Sequence, residues 1–370
     1  MKKVLMIQRI IPFYRVEFFL RLADELKKDS VELKVAHSSV EVENNSVFVY
    51  IKPTIEKNIK MLLNEKFVFS LSLYGFLKKF QPTLILTEDI SNLPNGLLVL
   101  IYSKMYGCKY GILGLGRIIG KQESLLKKIL KIPINLFRKN SSFFISYSSV
   151  GARYYRDEYG KDSISWNNSV VNPADITQQE LSCKYSSEDF NIIYIGRIER
   201  FKKLDLLIDA LIILNNPIIK LFVIGDGPEL SSLQLQYQDN DFIAWLGKIT
   251  NSQEKELYIR KAHLGVMPGS GGLVIQELQS YGIPVITSYS DGTEIDLIKN
   301  VNPELFIEEK SVDCLCENIR WFCDLDSEEK ALIAYKAFQI VSQRYNLNAM
   351  VKITVEKIRQ KVANVEIVEA

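Results

Sequence analysis

The sequence predicts an α/β protein made of two doubly wound, Rossmann-like domains that face each other across a cleft. Three observations carry this. The chain has 370 residues, which at roughly 150 residues per domain amounts to two. Short apolar runs alternate with longer stretches of helical period, and strands separated by helices mean βαβ units with a parallel sheet covered on both faces. The alternation comes in two blocks separated by a polar segment, 172–189, rich in Pro, Asp, Thr, Gln, Ser and Glu.

Taken in order, the first block offers strands at 4–7, 33–36, 46–51, 83–86, 110–113 and 143–147. The second offers 192–195, 221–224, 243–246, 264–267, 285–287 and 305–307. The segments between them have helical period: around 205–214 the apolar Leu204, Leu207, Ile208 and Leu211 fall at i, i+3, i+4 and i+7. From 327 to about 360 the chain reads as largely helical, a tail that either caps the second domain or runs back to the first. The expected divisions are 1–171, a connection at 172–189, 190–350, and a helical tail at 351–370.

Composition narrows the function. With 47% hydrophobic and 24% charged residues the chain is globular, which excludes collagenous, low-complexity and wholly disordered classes. The net charge of +2 argues against a dedicated nucleic-acid binder, but it is a cancellation. Residues 1–170 hold 26 Lys/Arg and 15 Asp/Glu, a net of +11; residues 171–370 hold 20 and 29, a net of −9. A basic half joined to an acidic half implies two different jobs. The five cysteines, Cys108, Cys183, Cys314, Cys316 and Cys323, lack zinc spacing and are expected as buried free thiols in a reducing compartment. Two histidines, His37 and His263, exclude a multi-histidine metal centre. The apolar start, 4–7, is too short for a signal peptide, and no run of about 18 apolar residues occurs. A cytoplasmic protein with at most peripheral membrane contact is expected.

In open α/β sheets ligands bind beyond the carboxyl ends of the strands, at a topological switch point, so the loops after strands should carry the chemistry. Gly196-Arg197-Ile198-Glu199-Arg200-Phe201-Lys202-Lys203 follows one strand and opens a helix, an anion site of cations and helix dipole or else a solvated basic turn. Gly225-Asp226-Gly227-Pro228-Glu229 reads chiefly as a strand-to-helix turn. In Pro268-Gly269-Ser270-Gly271-Gly272-Leu273-Val274 small residues would let backbone N–H groups approach an anion. Glu277, in the helix that follows, could accept from a ribose diol, or be an ordinary surface acid.

These loops carry a resemblance. IGRIERFKKLDLLIDAL, LFVIGDGPEL, WLGKITNSQEKELYIRKAHLGVMPGSGGLVIQEL and YGIPVIT, followed by Asp291-Gly292-Thr293-Glu294, resemble in order and spacing the retaining glycosyltransferases of family 4, with the GT-B fold. The match runs from Tyr194 to Glu294. The first half is a weaker match, best at residues 8–19, where Pro12-Phe13-Tyr14-Arg15 resembles a subgroup with a Pro-x-Tyr-Arg loop. The resemblance implies a nucleotide-sugar donor on the second domain. Arg197 and Lys202 would hold the diphosphate and act in catalysis. Gly196, Gly269 and the backbone at Gly272, Leu273 and Val274 would line the donor site, Glu277 would bind the ribose, and Lys248 and Ile249 would flank the base. It implies no metal and no cofactor, the cations replacing a metal. Glu294 matches a common family acid and reads as a helix cap, and Asp324-Leu325-Asp326 as a helix-end cluster. Two positions depart from the family: Gly269 stands where the first glutamate of E-x7-E is usual, and Leu115 where relatives often have a histidine.

The resemblance implies transfer with retention to a saccharide or polyprenyl-diphosphate-linked acceptor in surface polysaccharide assembly, as for lipopolysaccharide or capsule. Tyr14, Arg15, Glu88 and Asp89, all after first-domain strands, are the acceptor-side candidates. Residues 104–139 hold nine cations (Lys104, Lys109, Arg117, Lys121, Lys127, Lys128, Lys131, Arg138 and Lys139) against one acid, Glu123, interleaved with Leu and Ile. That pattern reads as contact with an anionic membrane surface, or as a solvated helix with its apolar face on the core. A sugar-nucleotide epimerase and a non-catalytic nucleotide-binding partner are the competing readings. A nicotinamide dehydrogenase is disfavoured, since no G-x-G-x-x-G follows the first strand.

Overall fold

The computed structural model describes residues 1–39, 42–59, 65–116, 125–186 and 189–363. The chain forms two compact units, Met1–Val170 with Leu347–Ala370, and Val171–Asn346.

The first unit holds β1 (Lys2–Gln8), α1 (Val16–Lys27), β2 (Val31–His37), β3 (Phe48–Tyr50), the antiparallel pair β4 (Ile55–Ile59) and β5 (Glu65–Phe69), α2 (Leu71–Phe80), β6 (Leu84–Glu88), α3 (Leu93–Tyr106), β7 (Lys109–Gly114), α4 (Leu125–Lys139), β8 (Phe143–Ser146), α5 (Ser149–Tyr159) and β9 (Ser163–Ser165). Seven of these strands form one parallel sheet in the order β3-β2-β1-β6-β7-β8-β9. The unbroken apolar run of β1 is explained by burial on both faces. Val4 and Met6 join a core with Phe18, Phe19 and Leu22 of α1, while Leu5 and Ile7 join the opposite core with Leu73, Leu77, Val99 and Phe144.

The C-terminal helix, Leu347–Ala363, belongs to this unit. Its Leu347, Met350, Val351, Val355, Ile358 and Val362 recur at helical spacing and are buried with α1. Thr354 accepts from Trp166 Nε1 at 2.6 Å, and Lys357 pairs with Asp162 at 2.6 Å. The tail therefore runs back to the first unit.

The second unit holds α6 (Gln178–Tyr185), β10 (Phe190–Ile195), α7 (Leu204–Leu214), β11 (Ile219–Ile224), α8 (Leu230–Gln236), β12 (Ile243–Gly247), α9 (Ser252–Lys261), β13 (Leu264–Met267), α10 (Leu273–Gln279), β14 (Val285–Ser288), β15 (Phe306–Ile307), α11 (Val312–Asp324) and α12 (Ser327–Gln343). Its six parallel strands run β12-β11-β10-β13-β14-β15. Asp324 ends α11, and Asp326 caps α12 in a capping box with Glu329, so the Asp-x-Asp is a helix junction. The described cysteines are all free; Cys108 and Cys316 are buried, but Cys183, expected inside, lies exposed on α6. Among the described residues no helix is long and apolar enough to cross a membrane.

Candidate active site

The strand order of the second unit places its switch point between β10 and β13, because the chain proceeds outward from β10 to β12 and then returns to β13 beside β10. The loops that follow these two strands meet there. Gly269 N–H donates to the Lys202 carbonyl at 3.1 Å, and Lys202 Nζ donates to the Ser270 carbonyl. The first cation loop and the small-residue loop are thus joined into one surface.

The Gly-Asp-Gly-Pro turn supports that surface. Ile198 N–H donates to the Asp226 carbonyl at 2.9 Å, and Glu229 N–H to the Ile198 carbonyl at 3.2 Å. A Cβ at Gly225 would lie 1.9 Å from the Gly196 carbonyl oxygen, so only glycine lets the two turns pack. The turn is a scaffold for residues 196–198, in keeping with its reading as structural.

Arg197 projects into solvent, its side chain 71% exposed, and pairs with Glu199 at 2.6 Å. Lys202 is half-buried. Burial pushes its pKa down, with Glu199, Glu294 and Asp291 pulling part of the way back. Glu294 is fully buried; its Oε2 accepts from Asp291 and Gly292 N–H at 3.2 and 3.1 Å. It stands at the N-cap of the helical segment Ile295–Lys299 and ties down the turn before it, with no side-chain bond to the segment itself. Burial, then the charge of Asp291, pushes its carboxyl pKa up.

Gly272 caps α10 with φ +57°, a conformation that favours glycine, and no side chain caps the first turn at Leu273 and Val274. One and a half turns on, Glu277 is ion-paired with Lys255 of α9. Lys248 is exposed and Ile249 packs on the core after β12. Gly225, which packs against Gly196 of the cation loop, donates its N–H to the Gly247 carbonyl at 2.8 Å just before them. Sequence reasoning missed Lys255, Ser270 and Glu199 as partners. The Lys255–Glu277 pair joins two helices of different βαβ units and leaves no sequence signal. Among the described residues no group of three His, Cys, Asp or Glu side chains could hold a metal.

In the first unit the corresponding switch point lies between β1 and β6, where Arg9 N–H donates to Glu88 Oε2 at 2.8 Å. Tyr14 is exposed beside Phe13. Arg15 is turned inward: it donates to the Asn168 side chain, to the Ser169 carbonyl at 3.1 Å and to Met350 Sδ, and lies over Trp166. Asp89 is neither a solvated loop acid nor presented to a ligand. It is buried, accepts from Arg138 Nε at 3.0 Å and Tyr155 Oη at 2.6 Å, and anchors an ion pair with Arg138. That also removes Arg138 from the cations expected to face a membrane. Of the stretch 104–139, residues 117–124, with Arg117, Lys121 and Glu123, lie outside the described residues.

Residues 179–338 match the family model described as Glycosyl transferases group 1, a segment that contains all three loops of the second unit. The second unit thus resembles a group 1 glycosyltransferase domain over nearly its whole length. Among solved structures, Anabaena HepE in complex with UDP is similar over 97% of this chain and 100% of its own, at TM-score 0.68 and 16% identity. A glycosyltransferase from Rickettsia africae is similar over 98% and 99%, at TM-score 0.70 and 16% identity. The lipopolysaccharide outer core galactosyltransferase WaaB, in its apo form, covers 100% of both chains at TM-score 0.64 and 15% identity. At such identities the likeness is one of fold, and that fold is the GT-B arrangement of two Rossmann-like sheets. Comparison with curated proteins found no match. The matched segment contains the Arg197 and Lys202 loop, the 268–274 turn and Glu277, all in the second unit.

Proposed function

We propose that the protein is a retaining glycosyltransferase that moves a sugar from a nucleotide-sugar donor to a lipid-linked saccharide acceptor in surface polysaccharide assembly. The observation that carries this is the junction of Lys202 with the 268–272 turn at the switch point of the transferase domain. The titles of the similar structures agree in kind: HepE is complexed with UDP and with UDP-glucose, and WaaB is a lipopolysaccharide galactosyltransferase.

Bond cleavage at the anomeric carbon leaves negative charge on the departing diphosphate. Lys202 and Arg197 face that charge already in place, and preorganised charges of this kind lower a barrier without reorganising. The uncapped N–H groups at Leu273 and Val274 donate to the other phosphate oxygens. Glu277, positioned by Lys255, accepts from the ribose diol, and the base lies along Lys248 and Ile249. The acceptor proton goes to a phosphate oxygen of the donor, so the reaction needs neither an enzymic base nor a metal. A thermal-shift panel of UDP-, GDP- and other nucleotide sugars tests the donor half. At least one raises the melting temperature, and Glu277→Ala abolishes that rise. Stabilisation by none of them defeats the proposal.

The acceptor side includes an anionic membrane, in keeping with a peripheral location. At the described end of α4, Lys131, Ile132, Leu136 and Lys139 are exposed while Phe137 and Arg138 are buried. Each cation near an anionic leaflet contributes about 1 kcal/mol. Binding to phosphatidylglycerol vesicles is expected to fall with salt and to weaken in Lys131→Glu/Lys139→Glu; salt-independent binding excludes this surface.

A further inference from the structure

The first unit contains a small cavity, ≈ 10 Å³, at the carboxyl ends of β1 and β2, where α2 and α3 begin. Ile7, Ala36, His37, Ser70, Leu73 and Asn95 line it. That volume admits about one water-sized centre. Two polar atoms on its lining residues have no partner among the described residues, His37 Nε2 and Ser70 Oγ, both on side chains 1% exposed. Buried polar atoms are nearly always paired, so this conjunction points to a ligand.

The hydrogen bonds already made define what that ligand is. Ser39 N–H donates to His37 Nδ1 at 3.3 Å, so Nδ1 carries the lone pair and the proton of the neutral ring sits on Nε2, a donor. Burial lowers the His37 pKa. Ser70 occupies the N-cap of α2, where a hydroxyl ordinarily accepts from the first turn, yet it makes no such bond. Its backbone N–H donates instead to Asn95 Oδ1 at 2.9 Å. Asn92, N-cap of α3, is likewise diverted from capping and accepts from Asn95 Nδ2 at 2.9 Å. No cation lines the cavity to neutralise a phosphate or carboxylate oxygen.

We propose that this cavity binds one neutral hydroxyl-type oxygen, from a water or from a saccharide, which accepts from His37 Nε2–H and donates to Ser70 Oγ. The oxygen would tie the end of β2 to the start of α2. Because Ser39 Oγ accepts from Ile11 N–H at 2.6 Å, it would also steady the loop that carries Tyr14 and Arg15. The inference uses nothing assigned to the transferase domain, and its outcome is separate from that of the donor panel.

Crystals of the full chain test it. An oxygen peak about 2.7–3.2 Å from both His37 Nε2 and Ser70 Oγ is expected. Its presence in sugar-free crystals and persistence on soaking identify water. Replacement by a ring hydroxyl in crystals soaked with methyl glucoside, galactoside or mannoside identifies a saccharide. The peak is lost in Ser70→Ala. An unoccupied cavity in every crystal, or a peak unchanged in Ser70→Ala, overturns the proposal. With only two histidines in the chain, selective ¹⁵N-histidine NMR gives a second readout, assigned by His37→Asn. The Nε2-protonated tautomer, with its proton exchanging faster in Ser70→Ala, is expected; the Nδ1-protonated tautomer overturns the proposal.

Discussion

Lys202→Met lowers the turnover of sugar transfer by about 10²–10³-fold, the loss typical of one preorganised charge facing a developing anion. Methionine keeps most of the aliphatic packing, so the loss is chemical rather than structural, and an unchanged melting temperature without donor checks this. Arg197→Ala costs less, because its guanidinium is largely solvated and shared with Glu199, and solvent screening weakens an exposed charge. The order of the two effects is the discriminating result: Arg197 dominating would place the leaving diphosphate outside the Lys202–Ser270 junction. The pH profile carries the same information. Burial depresses the Lys202 pKa, so the ammonium loses its proton at a lower pH than a free lysine, and activity falls on the alkaline side earlier than an ordinary lysine would allow. In Lys202→Arg that alkaline limb moves to higher pH, since guanidinium stays charged.

The parallel strands were legible because burial on both faces makes them continuous apolar runs. Short polar β9, Ser-Ile-Ser, carries no such run, and the β4–β5 pair lies outside the βαβ alternation. The chain's return to the first unit was left open by periodicity alone, since an apolar stripe says that a helix packs but not against what. The 196–203 and 268–274 loops were readable as strand-end loops from residue type. Their reinforcement was not. Position 269 shows why: a Cβ there would lie 2.4 Å from the Phe201 carbonyl oxygen and 2.7 Å from Lys202 Cα. Glycine is thus set by the close approach of a loop 68 residues away in sequence, which is also the contact that brings Ser270 to Lys202. A glutamate at 269 would have to push that loop aside.

Asp89 was misread for the same reason, since its partners Arg138 and Tyr155 lie 49 and 66 residues further along the chain. The correction carries the second large expectation. Asp89→Ala leaves the Arg138 guanidinium buried without its counter-charge, and removing one partner of a buried pair costs about 3–5 kcal/mol. Tyr154, Tyr155 and Tyr159 surround that guanidinium at 5.9, 5.5 and 5.8 Å and offer only their π faces and hydroxyls in compensation. For a unit of this size the melting transition drops by roughly 6–20 °C, read by circular dichroism. Replacing both partners separates charge burial from packing. In Asp89→Leu/Arg138→Met no buried charge is left unpaired, and most of the loss is recovered. Tyr155 Oη then keeps Gly116 N–H, which it accepts at 3.1 Å, so the turn after β7 stays in place. A double variant as unstable as Asp89→Ala would mean that the carboxylate acts mainly as the acceptor for Tyr155, with its charge secondary. Nucleotide-sugar binding in the transferase domain is expected to survive all of these changes, because Asp89, Arg138 and the three tyrosines belong to the first unit.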